Sequence, residues 1–170
     1  MPEYEMAEPV VDMSGVTELA RDMILIPNRS VQLVPNIGIV GGKESVLVID
    51  TGMGPKNAAK VLDLAADYAK GRRLYLTTTH FHPEHAFGAQ VFTGRATFLM
   101  NRAQAEDLAT KGAGYLAMFR ELGAPVARQL EGVELAAADL VYDDTYDLDL
   151  GGGWSSCRPP VGPTARATRS

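Results

Sequence analysis

All three histidines of this 170-residue chain fall within six positions, His80-Phe81-His82-Pro83-Glu84-His85, directly after the run Leu74-Tyr75-Leu76-Thr77-Thr78-Thr79. An apolar, β-branched run bounded by turn residues reads as a strand, so the imidazoles gather at a strand-to-loop junction. Neutral imidazole nitrogen and carboxylate oxygen are the usual protein ligands of zinc and its divalent neighbours. Three histidines beside Glu84 therefore read as a metal site. Ordinary surface or core placement is the bland alternative, and it suits one isolated histidine better than a cluster.

The spacing has two geometric readings. Along an extended backbone alternate residues share a face, so His80, His82 and Glu84 project together while His85 points away. Proline favours the first turn of a helix, and a helix starting at Pro83 makes His82 and His85 neighbours on one side. The stretch can supply two ligand groups to each of two adjacent metals.

Around this junction the pattern alternates between strand and helix, which predicts an α/β fold. Short strands are expected at Met23 to Pro27, Val31 to Val34, Ile37 to Val40 and Val46 to Asp50, broken by Asn28, Pro35 and the Gly41-Gly42-Lys43 turn. Val61, Leu62, Leu64, Ala65 and Tyr68 recur at helical spacing within Asn57 to Lys70, with Gly71 as the expected C-cap. Thr97 to Met100 reads as another strand. Helical pieces follow at Ala103 to Leu108, Ala113 to Leu122 and Pro125 to Leu130, punctuated by Gly112 and Gly123, with Met118, Phe119 and Leu122 expected in the core. Asp50 ends a buried-looking strand, where α/β folds collect functional groups; a turn aspartate accepting amides near Gly52 is the plainer role.

With 46% hydrophobic and 22% charged residues, 170 residues can bury one core and form about one domain. A net charge of −5 without a basic stripe gives nucleic-acid binding no support. The first 27 residues carry Glu3, Glu5, Glu8, Asp12, Glu18, Arg21 and Asp22, and no basic segment leads into a long apolar run, so no secretory signal is expected. No stretch approaches the roughly 20 apolar residues of a membrane span. Cys157 stands alone, which excludes an internal disulfide and suits a cytoplasmic location.

The strand-end motif resembles the His-x-His-x-Asp-His signature of the metallo-β-lactamase superfamily. Val34-Pro35-Asn36-Ile37-Gly38-Ile39-Val40 and Ser45-Val46-Leu47-Val48-Ile49-Asp50-Thr51-Gly52 look like that family's opening hairpin and its Asp-Thr-Gly turn. A helical segment, Pro55 to Lys70, and Ala86-Phe87-Gly88-Ala89 as a small-residue helix start follow in the family's order. The resemblance covers about residues 16 to 151 and implies the N-terminal half of an αββα sandwich. It also implies a metal-dependent hydrolase with one or two zinc ions, iron or manganese being alternatives. His80 and His82 would serve the first metal, Glu84 and His85 the second, and Asp50 would orient the ligand loop. A metal-activated water would attack an ester, thioester, lactam or phosphoester of a small-molecule substrate. Glu84 departs from the pattern by one methylene, which moves the carboxylate outward by about 1.5 Å.

The domain is expected to span residues 1–151, with 152–170 as a tail. From Gly151 onward the glycine, proline and arginine content shows neither helical nor strand periodicity and reads as disorder. Degenerate codons read one base upstream permit Val-Glu-Leu-Val from Trp154 to Cys157, and Gly-Ala-His-Ser-Pro-Gly-Asp from Gly162 to Thr168. The second resembles the family's next histidine motif, so a frameshifted, truncated product is expected, against a natural short protein with a disordered tail. Such a chain would lack the family's remaining ligands, would be catalytically impaired, and would self-associate through an uncovered sheet face.

Overall fold

The computed structural model describes residues 6–152 and the backbone of Trp154–Cys157. The β-branched runs form one seven-stranded sheet of β1 (Thr17–Ala20), β2 (Met23–Ile26), β3 (Ile37–Gly41), β4 (Ser45–Ile49), β5 (Arg73–Thr77), β6 (Thr97–Asn101) and β7 (Leu140–Tyr142), in that order. The pairs from β1 to β4 are antiparallel hairpin neighbours. From β4 to β7 the pairing is parallel, because α1 (Gly54–Ala69), α2 (Pro83–Ala86), α3 (Arg102–Arg120) and α4 (Ala124–Gln129) lie in the connections.

Strand alternation sorts the side chains onto two faces. Val46, Val48, Leu74, Leu76, Phe98 and Met100 join the large core with α1. That helix contributes Ala58, Val61, Leu62, Ala65 and Ala69 at helical spacing; fully burying a valine or leucine contributes about 1.5–3 kcal/mol. Leu47 and Leu99 point the other way, into a smaller cluster with Tyr142, Leu148 and Leu150. Val40, Ile49, Tyr75 and Leu140 border it and are partly buried. Leu148 brings β8 (Tyr146–Asp149) onto this second face, and β8 pairs antiparallel with β9 (Trp154–Cys157).

Several expectations are corrected. Val31 to Val34 is not a strand: Asn28 Oδ1 accepts from Ser30 N–H, and Arg29, Ser30 and Leu33 adopt positive φ, so turn chemistry overrides the apolar run. The two pieces expected at Ala103 to Leu108 and Ala113 to Leu122 form one helix, α3, which ends at Arg120 and passes through Gly112, where a Cβ would meet Leu135 Cδ1 at 2.8 Å. Its buried residues are Leu108, Gly112 and Phe119, whereas Met118 and Leu122 are exposed. The C-cap of α1 is Lys70, with Gly71 next in the left-handed region. α2 begins at Pro83, earlier than the small-residue stretch Ala86 to Ala89. Finally, Trp154–Cys157, expected to lack regular structure, pairs with β8 after Gly151 and Gly152 turn the chain at positive φ. Backbone pairing does not depend on alternating hydrophobicity. The rest of the expected tail, 158–170, lies outside the described residues. No described helix is long and apolar enough to cross a membrane.

Candidate metal centre

The parallel pairing of β4 with β5 sets Ile49 opposite Thr77 and so places the two strand ends side by side. Beyond them Asp50 turns with φ 69° and donates its N–H to Thr77 O at 2.9 Å. Aspartate is among the few residues that tolerate this left-handed conformation. Its carboxylate is only 2% exposed. Oδ1 accepts from Thr79 N–H at 2.7 Å, and Oδ2 lies 3.0 Å from Thr79 Oγ1 and 2.9 Å from His85 Nδ1. The partners of Asp50 are thus Thr79 and His85, and no amide near Gly52.

The rest of the Asp50-Thr51-Gly52 turn grips α2. Thr51 donates its N–H and its hydroxyl to His85 O, at 3.0 and 2.9 Å, and Thr51 Oγ1 accepts from Gly88 N–H at 3.2 Å. Glycine is required at position 52, where φ is +77° and a Cβ would lie 2.8 Å from Val11 Cγ2. Asn57 ties the same region down: it accepts from Val11 N–H and donates to Pro9 O and Met53 O.

Within this frame His80, His82 and Glu84 each offer a ligand atom, all within 4.8 Å of one another. They are the single such group of three among the described residues. The structure therefore brings together the set that an extended backbone predicts, although Pro83 does start a helix with His82 as its N-cap. His85 falls outside the group; its ring centroid lies 4.0 Å from that of His80, and its Nε2 is 3.9 Å from Glu84 Oε1.

Two features fit these residues to a cation. Glu84 Oε2 is fully buried and has no hydrogen-bond partner among the described residues, and an orphaned buried carboxylate oxygen is costly unless something cationic meets it. Burial also pushes the His80 imidazole below its ordinary value, helped by His85 and His82 and opposed by Asp50 and Glu84. A depressed value keeps the ring neutral and able to ligate. Thr78 Oγ1, on the preceding strand end, is likewise buried without a partner among the described residues.

The surrounding hydrogen bonds assign ring tautomers. A carboxylate only accepts, so His85 Nδ1–H donates to Asp50 Oδ2 and the Thr79 hydroxyl donates to the same carboxylate. Thr79 Oγ1 can then accept from His80 Nδ1–H at 3.1 Å, which leaves His80 Nε2 as the ligand atom. His82 is held differently: the Tyr115 ring of α3 stacks on it at 5.1 Å and 26°. Phe81 meets Tyr115 edge-on at 5.0 Å, and its N–H donates to Gln104 Oε1 at 3.0 Å.

Sequence reasoning missed Thr79, Gln104 and Tyr115. Thr79 was absorbed into the apparent strand, and Tyr115 and Gln104 come from a helix whose approach to the loop is purely tertiary. A signal existed for Tyr115, which with Leu108, Gly112 and Phe119 makes a stripe at helical spacing.

The chain matches the profile of the metallo-beta-lactamase superfamily over residues 31–155. It is similar in fold to the native FEZ-1 metallo-beta-lactamase from Legionella gormanii, with TM-score 0.59, 13% identity, and coverage of 89% of this chain and 53% of that one. A metallo-beta-lactamase from Pontibacter korlensis gives TM-score 0.57 and 15% identity over 82% of this chain and 57% of that one. A motif mutant of a metallo-beta-lactamase from Cronobacter sakazakii gives 0.56 and 17% over 81% and 50%. The chain thus spans about half the length of these structures. No curated protein matches it. By the extent of the profile match and the placement of the histidine loop at the ends of β4 and β5, the chain belongs to the metallo-beta-lactamase superfamily, and its fold corresponds to the N-terminal half of that family's αββα sandwich.

Proposed function

We propose that this protein is a metal-dependent hydrolase, with zinc as its ion, acting through an activated water on an ester, thioester or related bond of a small molecule. The observation that carries this reading is the cluster of ligand atoms from His80, His82 and Glu84, within 4.8 Å of one another, in which Glu84 also keeps a buried oxygen, Oε2, with no partner among the described residues. A divalent ion supplies Lewis acidity and makes water ionisable near neutral pH, at about 7 in well-built zinc sites. His80 and His82 would hold it through imidazole nitrogen, and Glu84 through its carboxylate. Asp50 holds His85 and, through the Thr79 hydroxyl, the orientation of His80. Tyr115 and Gln104 fix the loop from the other side, so that the ligands are set before any ion arrives.

A second reading, a metal-binding chain of impaired catalysis, is favoured by one fact. All three histidines of the sequence are spent in this loop, so none remains to complete a three-histidine site. Turnover of generic ester, thioester and phosphodiester substrates by the zinc-loaded chain separates the two. Hydrolysis that disappears in His82→Ala supports the hydrolase; zinc retention without turnover supports the second reading.

A further inference from the structure

Residues 8–11 adopt neither helix nor strand, yet Pro9 and Val11 are buried, Val11 to 2% exposure. Side chains from two helices hold the segment. The Asn57 amide of α1 accepts from Val11 N–H and donates to Pro9 O, both at 2.8 Å, and so pairs with the backbone as a neighbouring strand would. Lys60 Nζ donates to Val11 O at 3.2 Å. From α4, Gln129 Nε2 donates to Glu8 Oε1 at 2.7 Å and Arg128 reaches Glu8 Oε2 at 3.4 Å, while Gln129 Oε1 accepts from Asn57 at 3.2 Å. Asn57 and Gln129 are both buried, so parting the segment from them leaves buried donors and acceptors unpaired, which is costly.

The segment bears on the histidine loop through Val11. Gly52 has φ +77°, and a Cβ there would lie 2.8 Å from Val11 Cγ2 and 3.0 Å from Asn57 Cβ, so these two side chains close over the bare glycine. Gly52 belongs to the turn whose Thr51 donates twice to His85 O and whose Asp50 meets Thr79 N–H and His85 Nδ1. Val11 therefore packs on the same turn that grips the loop after β5. Two events that order one turn favour each other, and that coupling is reciprocal.

We propose that residues 8–11 are a strap that orders the Asp50-Thr51-Gly52 turn, with Val11 as a positioning residue, so that closure of the strap and metal binding at the histidine loop strengthen each other. The coupling to metal rests on the metal-centre reading above; the ordering of the turn does not. Amide hydrogen exchange of the full chain, with Val11→Ala and Glu8→Ala as perturbations and far-UV circular dichroism as the check of folding, tests the ordering. Without metal, exchange should quicken together at residue 11, which reports the strap, and at Thr51 and Thr79, which report the turn, by about tenfold in Val11→Ala and about threefold in Glu8→Ala. Faster exchange at residue 11 with Thr51 and Thr79 unchanged would overturn the strap's hold on the turn. Competition against a chromophoric chelator tests the coupling, since a strap that merely adds stability leaves the zinc affinity of the folded chain unaltered. Zinc affinity should fall about fivefold in Val11→Ala and about twofold in Glu8→Ala, and zinc should slow exchange of Val11 N–H in the native chain. Native affinity in both folded variants, with Val11 exchange indifferent to zinc, would overturn the coupling. No zinc binding by the native chain would remove the metal centre and the coupling with it, while the exchange of the metal-free chain would still decide whether the strap orders the turn.

Discussion

Replacing Thr79 by valine removes one hydroxyl and leaves the shape of the side chain almost unchanged. In the native structure Thr79 Oγ1 lies 3.0 and 3.2 Å from the two Asp50 oxygens and 3.1 Å from His80 Nδ1. In Thr79→Val the Asp50 carboxylate keeps Thr79 N–H at 2.7 Å and His85 Nδ1 at 2.9 Å, so the turn should hold. What is lost is the acceptor that fixes His80 with its proton on Nδ1. Hydrogen bonds of this kind contribute about 0.5–1.5 kcal/mol net, up to about 3 when one partner is charged. Thr79 is exposed, so water can replace part of the loss, and about 1 kcal/mol is the appropriate size. Zinc affinity should therefore fall roughly fivefold, since 1.4 kcal/mol corresponds to a factor of ten. Thr79→Ser retains the hydroxyl and should bind as the native chain does. Competition against a chromophoric chelator measures both. If valine binds zinc as tightly as threonine, or serine as weakly as valine, the Asp50–Thr79–His80 chain of bonds does not orient the ligand.

The stacked ring of Tyr115 should matter for its face and not its hydroxyl: Tyr115→Phe should keep zinc affinity, and Tyr115→Ala should lose about threefold to tenfold, as expected for an aromatic pair of about 0.5–1.5 kcal/mol. Gly88→Ala would place a Cβ 2.5 Å from Ala58 Cβ and 2.8 Å from Thr51 Oγ1, so calorimetric melting should show overpacking of about 1–3 kcal/mol; an unchanged melting temperature would mean that the packing of α1 against this turn is looser than described. The metal-free chain should also lose stability on acidification. Because His80 titrates below its ordinary 6.5 when folded, its contribution is complete above that value and is lost as pH falls from there towards the folded value. Urea midpoints against pH should fall less steeply in His80→Ala; parallel curves would show that the ring is not held in its neutral form.

Much of this arrangement was legible in the sequence because its signals are local. Val46 to Asp50 and Leu74 to Thr77 announce strands by β-branched runs, and the crowding of His80, His82, Glu84 and His85 announces a ligand loop. The parts that were not legible depend on partners distant in sequence. Thr17–Ala20 is exposed throughout and carries no pattern of burial, yet it pairs with β2 as an edge strand. Leu33 lies in an apolar run but takes a positive φ imposed by the turn around it. Gly112 looked like a helix break until the packing of Leu135 against α3 gave the missing Cβ a reason. Tyr115 is 33 residues from His82, and only the approach of α3 to the loop after β5 brings the two rings together. Which of the two spacings of the histidine loop prevails was likewise a tertiary matter: Asp50 and Thr51 grip His85 through its ring Nδ1 and its carbonyl, and the ligand atoms that gather within 4.8 Å of one another are those of His80, His82 and Glu84.

X-ray absorption at the zinc edge of the loaded chain reads the ligands of the ion directly. Imidazole scattering should be present in the native chain and should lose one imidazole in His80→Ala and one in His82→Ala. A spectrum unchanged by both His80→Ala and His82→Ala would contradict the assignment of these residues as the metal centre.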